Sequence, residues 1–155
     1  ERIKARTDAD EMLRGYLEAR DQTAAGIVNE VRRAAQASGA RVGVTAASSG
    51  WSIHGLRLAD LLPTLGALML PDPTDEAQEA DAQVAMVRAS GREIHLTVNQ
   101  TGAHHVRPHT AAFEARAQRI ARIGVDRVMV YNFGLLTPAT LRHVGRVLRT
   151  HLGVP

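Results

Sequence analysis

Two hydrophobic rhythms alternate along the chain: a three-and-four spacing that marks amphipathic helix, and short apolar runs that mark strand. Between Asp8 and Ser38 the apolar positions include Met12, Leu13, Tyr16, Leu17, Ile27, Val28, Val31, Ala34 and Ala35, which predicts a long helix closed by Gly39. Gly15 and Gly26 lie inside that run, and since each costs about 1 kcal/mol relative to alanine, they are the expected points of division. Arg41 to Ala47 (RVGVTAA) is short and partly β-branched and predicts the first strand, before the polar loop SSGWSIHG and a brief helix near Leu56 to Leu65. Ala67 to Leu70 predicts a second strand, stopped by Pro71-Asp72-Pro73-Thr74, and Asp75 to Ala89 a helix with Gly91 beyond it. Arg92 to Val98 predicts a third strand, ending in Asn99-Gln100 and the loop TGAHHVRPH. A helix from Thr110 to Ile123 ends at Gly124, and Arg127 to Tyr131 predicts the fourth strand. Thr137 as N-cap and Pro138 at the first helical position start the last helix.

Strands beginning near residues 41, 67, 92 and 127 repeat at about the size of a βα unit, roughly 30 residues. The expected fold class is therefore α/β: four parallel βα units with right-handed crossovers, preceded by a long helix. Two architectures meet that description, half of a TIM-like (βα)8 barrel and a small open parallel sheet. The alternation in Ile94 to Val98, with His95 and Thr97 on one face, favours the half-barrel, because a barrel strand packs one face on helices and turns the other inward. A lone half leaves two sheet edges bare, so a homodimer or pairing with a missing N-terminal half is expected.

Composition narrows the picture. At 155 residues and 45% apolar, the chain suits a single α/β domain over 1–155. The absence of cysteine excludes disulfides, thiolate zinc sites and thiol nucleophiles. A net charge of +3 rests almost wholly on arginines scattered among Asp and Glu, which reads as a solvated surface and not as a nucleic-acid partner. No apolar run is long enough for a membrane span, so a soluble protein, with the cytoplasm favoured, is the expectation. Neither a G-x-G-x-x-G fingerprint nor a Walker sequence is present, and no cofactor is expected.

The segments DRVMVYNFGLL (Asp126 to Leu136) and YLEARDQTAAGIVNEVRRAA (Tyr16 to Ala35) resemble the C-terminal half of bacterial glycoside-hydrolase-like TIM barrels. The resemblance implies strands five to eight of such a barrel and a carbohydrate-directed domain. It also carries a departure. The strand that would be seventh ends in Val98-Asn99-Gln100 with no carboxylate, so the usual two-carboxylate mechanism is not assembled from matching positions.

In a parallel sheet the C-terminal strand ends share one face, where ligands bind. The ligand-binding candidates there are Trp51, His54, Asn99, Gln100, His104, Arg107, Tyr131 and Asn132, a set of amides, an aromatic platform and a guanidinium suited to a small polyhydroxylated ligand. Asp72, the one carboxylate immediately at a strand end, is the catalytic candidate, although an Asp between two prolines is also an ordinary turn former. His104, His105 and His109 offer histidines without a nearby acidic partner, and no metal site is expected. Two further readings stay open: a non-catalytic half-barrel assembly module, and a sugar-phosphate isomerase or lyase gripping its phosphate through Arg107.

Overall fold

The computed structural model describes residues 2–45, 47–50, 55–73, 76–99, 111–130, 134 and 136–153. Among the described residues six helices, α1 (Arg2–Ala9), α2 (Glu11–Gln36), α3 (Leu58–Leu61), α4 (Ala77–Ala89), α5 (Ala111–Ile123) and α6 (Pro138–Leu152), alternate with four strands after α2. The strands β1 (Gly43–Val44), β2 (Ala67–Met69), β3 (His95–Asn99) and β4 (Arg127–Met129) form one parallel sheet in the order β1-β2-β3-β4. The α/β class and the parallel sheet follow the sequence pattern, while the ladders are shorter than the expected strands.

The long helix divides elsewhere than its glycines predict. α2 runs 26 residues straight through Gly15 and Gly26, and the break falls at Asp10, whose carboxylate accepts from the Leu13 amide at 3.0 Å as an N-cap. A cap satisfies an otherwise orphaned amide, which fixes a helix start more firmly than one glycine's entropy can force an end. At the far end of the chain, α6 starts as its sequence indicates, with the Thr137 hydroxyl accepting from the Thr140 amide and Pro138 at the first turn.

Register explains the two faces of the sheet. Leu68 pairs with Leu96 and Val98 with Val128, so these side chains share the face that packs on helices. There Val44, Leu68, Leu70, Leu96 and Val98 meet Leu58 and Leu61 of α3, Val84 and Val87 of α4 and Ile120 of α5. Leu58, Leu68, Val98 and Ile120 are fully buried, each worth about 1.5–3 kcal/mol in removed apolar surface. A second cluster, Phe113 and Ala117 with Val144 and Val147, locks α5 to α6. The opposite face carries the alternate residues: Ala67 pairs with His95, Met69 with Thr97, Thr97 with Arg127 and Asn99 with Met129. Among the described residues this face is half-buried in the centre and exposed at β4. Strands following one another without a change of direction need successive crossovers on one side, and the helix-packed core lies on that side.

Candidate functional site

Parallel strands bring four chain segments to one end of the sheet. Of the residues expected there, Asp72 and Asn99 are described, whereas Trp51, His54, Gln100, His104, Arg107, Tyr131 and Asn132 lie outside the described residues, as do His105 and His109. Asp72 follows β2 and Asn99 closes β3, and a third residue joins them. Arg116 of α5, only 3% exposed, donates through Nη1 to the Asp72 carboxylate and through Nη2 to the Asn99 carbonyl at 2.6 Å. Burial lowers the Arg116 guanidinium from its ordinary range, and its fork ties the ends of β2 and β3 to the helix layer. The Asn99 Oδ1 atom is buried with no hydrogen-bond partner.

A second network closes the end of β1. Glu79, in the first turn of α4, accepts from the Ser49 amide at 2.6 Å, the Ser49 hydroxyl at 2.7 Å and Gln83 Nε2 at 2.7 Å. Burial alone would raise this carboxyl, but the hydrogen bonds from Ser49, Gln83 and Ser48 together hold it below its ordinary 4.5. Gln83 is fully buried and donates to the Ala47 carbonyl at 2.6 Å, while its Oε1 has no partner. These bonds hold the turn after β1 against α4, one strand away from the Arg116 anchor.

Ser49 and Gly50 also border a cleft of about 410 Å³ between this turn, the helices α1 and α2, and α3. Its lining mixes apolar surface with charged groups. Asp21, 7% exposed, ion-pairs with Arg20 at 2.9 Å and with Arg57 at 3.3 Å, and Arg57 also meets Asp60 at 2.9 Å. Asp8, Arg14 and Glu18 line the opening. Gly55, in the loop before α3, has a φ of +75° that side chains rarely adopt, and a Cβ there would lie 2.8 Å from the Arg20 Nε, so a substitution would strain the backbone and displace the Arg20 side chain. Asp72 is not among the residues lining the cleft.

Arg116, Gln83 and Asp21 belong to no motif, yet they share one signal. Each sits inside the apolar stripe of its helix: Arg116 between Phe113 and Ile120, Gln83 between Ala80 and Val87, Asp21 between Leu17 and Val28. A polar side chain at a core-facing position must find a partner when the helix docks. Glu79 and Arg57 fall beside the stripe and leave no such mark.

Among the described residues no group of three or more His, Asp or Glu is arranged to hold a metal ion. No described helix is long and apolar enough to cross a membrane. Compared with known proteins, the chain matches no family model, no curated protein and no solved structure.

Proposed function

We propose that the chain is a carbohydrate-directed domain that binds a small polyhydroxylated ligand at the C-terminal ends of its strands. The observation that carries this reading is the cleft beside Ser49 and Gly50, about 410 Å³ in volume, where Asp21, Arg57 and Asp60 are held in position by mutual ion pairs. Fixed acceptors and planar donors are what recognition of vicinal hydroxyls requires, since a preorganised site avoids ordering its side chains on binding. Ligand-orienting roles for Asn99, Gln100 and Tyr131, and a stacking platform from Trp51, belong to this proposal.

Binding is favoured over glycoside hydrolysis by the state of the carboxylates. Asp72 accepts from the Arg116 guanidinium, and Glu79 accepts three hydrogen bonds, so both carboxylates are engaged as acceptors within the protein. Hydrolysis with Asp72 as acid or base would require it to leave that anchor. A glycan array together with a panel of aryl-glycosides tests the proposal: saccharide binding with no turnover is the expected result, turnover abolished by Asp72→Asn would move the protein to the hydrolase reading, and neither binding nor turnover would refute both.

A second reading rests on the sheet face opposite the helix-packed core, half-buried in its centre and exposed at β4 among the described residues. Four parallel strands in sequential order, with Met69, Thr97, Arg127 and Met129 on the side opposite the helix-packed core, are what half a (βα)8 barrel would require. In that reading the face is an assembly surface for four further parallel strands, and the ligand site would sit at the mouth of the completed barrel.

A further inference from the structure

At the opposite end of the sheet, the chain enters β1, β2 and β3 side by side, and α2 ends next to them. Arg32 and Gln36 of α2, Arg41 before β1, Gly66 before β2, and Arg92 and Glu93 before β3 line a second cleft there, of about 280 Å³. Three guanidinium groups share it with one carboxylate, an excess of two positive charges. Glu93 is a weak counter-ion, since it lies 3.7 Å from Arg41 Nη2 and its side chain is 83% exposed, so water screens the pair. Among the described residues, Arg32 and Arg92 have no ion-pair partner, and the Arg32 Nε is buried without a hydrogen-bond acceptor.

The helix ends do not account for these arginines. The last carbonyls of α2 already accept from backbone amides, Ala35 from Ser38 at 3.0 Å and Gln36 from Gly39 at 3.1 Å, and those of α4 accept from Ser90 and Gly91. Gly66 makes room for one of the three: a Cβ there would lie 3.3 Å from the Arg41 Cβ. We propose that this cleft binds a phosphate dianion, either free or as the monoester group of a small molecule, gripped by Arg32, Arg41 and Arg92. Guanidinium forks meet phosphate oxygens in pairs, and a dianion balances the excess of two charges where a single carboxylate does not. A buried donor calls for an acceptor, and the anion brings one to Arg32. Cations gathered around a cleft suit a single phosphate group, whereas a nucleic-acid backbone needs them strung along a surface. The proposal is independent of the saccharide reading, because the two clefts lie at opposite ends of the strands.

Calorimetric titration with inorganic phosphate and with glycerol 3-phosphate, at constant ionic strength, tests it. Saturable binding is expected, weakened about tenfold by Arg32→Gln or by Arg92→Gln, each of which removes one fork. Arg92 is exposed, so its replacement leaves the core untouched. Arg142→Gln, at an exposed position on α6 outside the cleft, should leave the affinity unchanged. Binding should weaken as pH falls through the second phosphate pKa, about 6, where the dianion is lost. Amide shifts on adding either probe should fall at Arg41, Gly66 and Glu93, with Ser49 and Gly50 unmoved. Tighter binding of the ester assigns the cleft to a phosphorylated small molecule, and tighter binding of inorganic phosphate to the free ion. Heats reproduced by sodium chloride of equal ionic strength, an affinity untouched by both cleft variants, or a single-stranded oligonucleotide binding more tightly than either probe would each overturn the proposal.

Discussion

Replacing Arg116 by methionine tests whether the end of the sheet is held by a buried ion pair. Methionine keeps most of the stem's volume, so the change removes the charge and its two hydrogen bonds without opening a large cavity. The Arg116 side chain is 4% exposed and that of Asp72 18%, so the deletion leaves a mostly buried carboxylate without its guanidinium and the Asn99 carbonyl without a donor. Breaking one side of a buried pair costs about 3–5 kcal/mol, and the residual exposure of Asp72 places this case near 3. With a urea slope of about 2 kcal/mol/M, the unfolding midpoint should fall by about 1.5 M. The double variant Arg116→Met with Asp72→Asn removes both charges together, and it should be more stable than Arg116→Met alone by at least about 1 kcal/mol, because the Asp72 position no longer carries a charge whose guanidinium has been removed. Urea titrations of the wild type, both single variants and the double variant complete the cycle. A loss below about 1 kcal/mol for Arg116→Met, or strictly additive effects, would show that Arg116 does not anchor β2 and β3.

Further outcomes follow from the same structure. Leu68→Ala, at a fully buried position in β2, should cost about 2–5 kcal/mol in chemical denaturation. Ser49→Ala removes a hydroxyl bonded to Glu79 and should cost about 1 kcal/mol by the same assay. Because the folded state holds Glu79 below its ordinary 4.5, it contributes stability that is present above that pH and is lost as pH falls through the folded value; Glu79→Gln should therefore flatten the acid limb of a stability-against-pH curve. Gly26→Ala, in open space on α2, should raise the thermal midpoint, with a gain of about 0.5–1 kcal/mol.

The fold was legible where periodicity decides it. The β3 segment alternates half-buried and buried residues from His95 to Asn99, as its sequence requires, and the four βα intervals indicate a parallel sheet directly. Strand lengths were not legible, since hydrophobic runs mark burial and a ladder needs a neighbour at the right register: among the described residues of RVGVTAA, Gly43 and Val44 alone pair in the ladder. The glycines in α2 misdirected the expected break because their local cost is small beside 26 residues of helix and an Asp10 cap. The placement of Asp72 and Asn99 at strand ends was legible in the sequence, but the residue that joins them is 17 positions beyond Asn99 on a helix. Arg116 was visible only as a charge within the apolar stripe of α5, a pattern with two meanings, core anchor or misjudged helix face, until the helix is docked. Glu79 and the Asp21–Arg57–Asp60 cluster join elements distant in sequence, and spacing along one element cannot reveal them.

The central claim is that the strand ends, and the cleft beside them, form a site for a polyhydroxylated ligand. The most direct measurement is an amide chemical-shift titration of the labelled protein with a panel of mono- and oligosaccharides. Saturable shifts at Ser48, Ser49, Gly50 and Asp21, with those in α6 unmoved, are the predicted result; the absence of any saturable shift across the panel, or shifts confined to the opposite end of the sheet near Arg41 and Glu93, would contradict it.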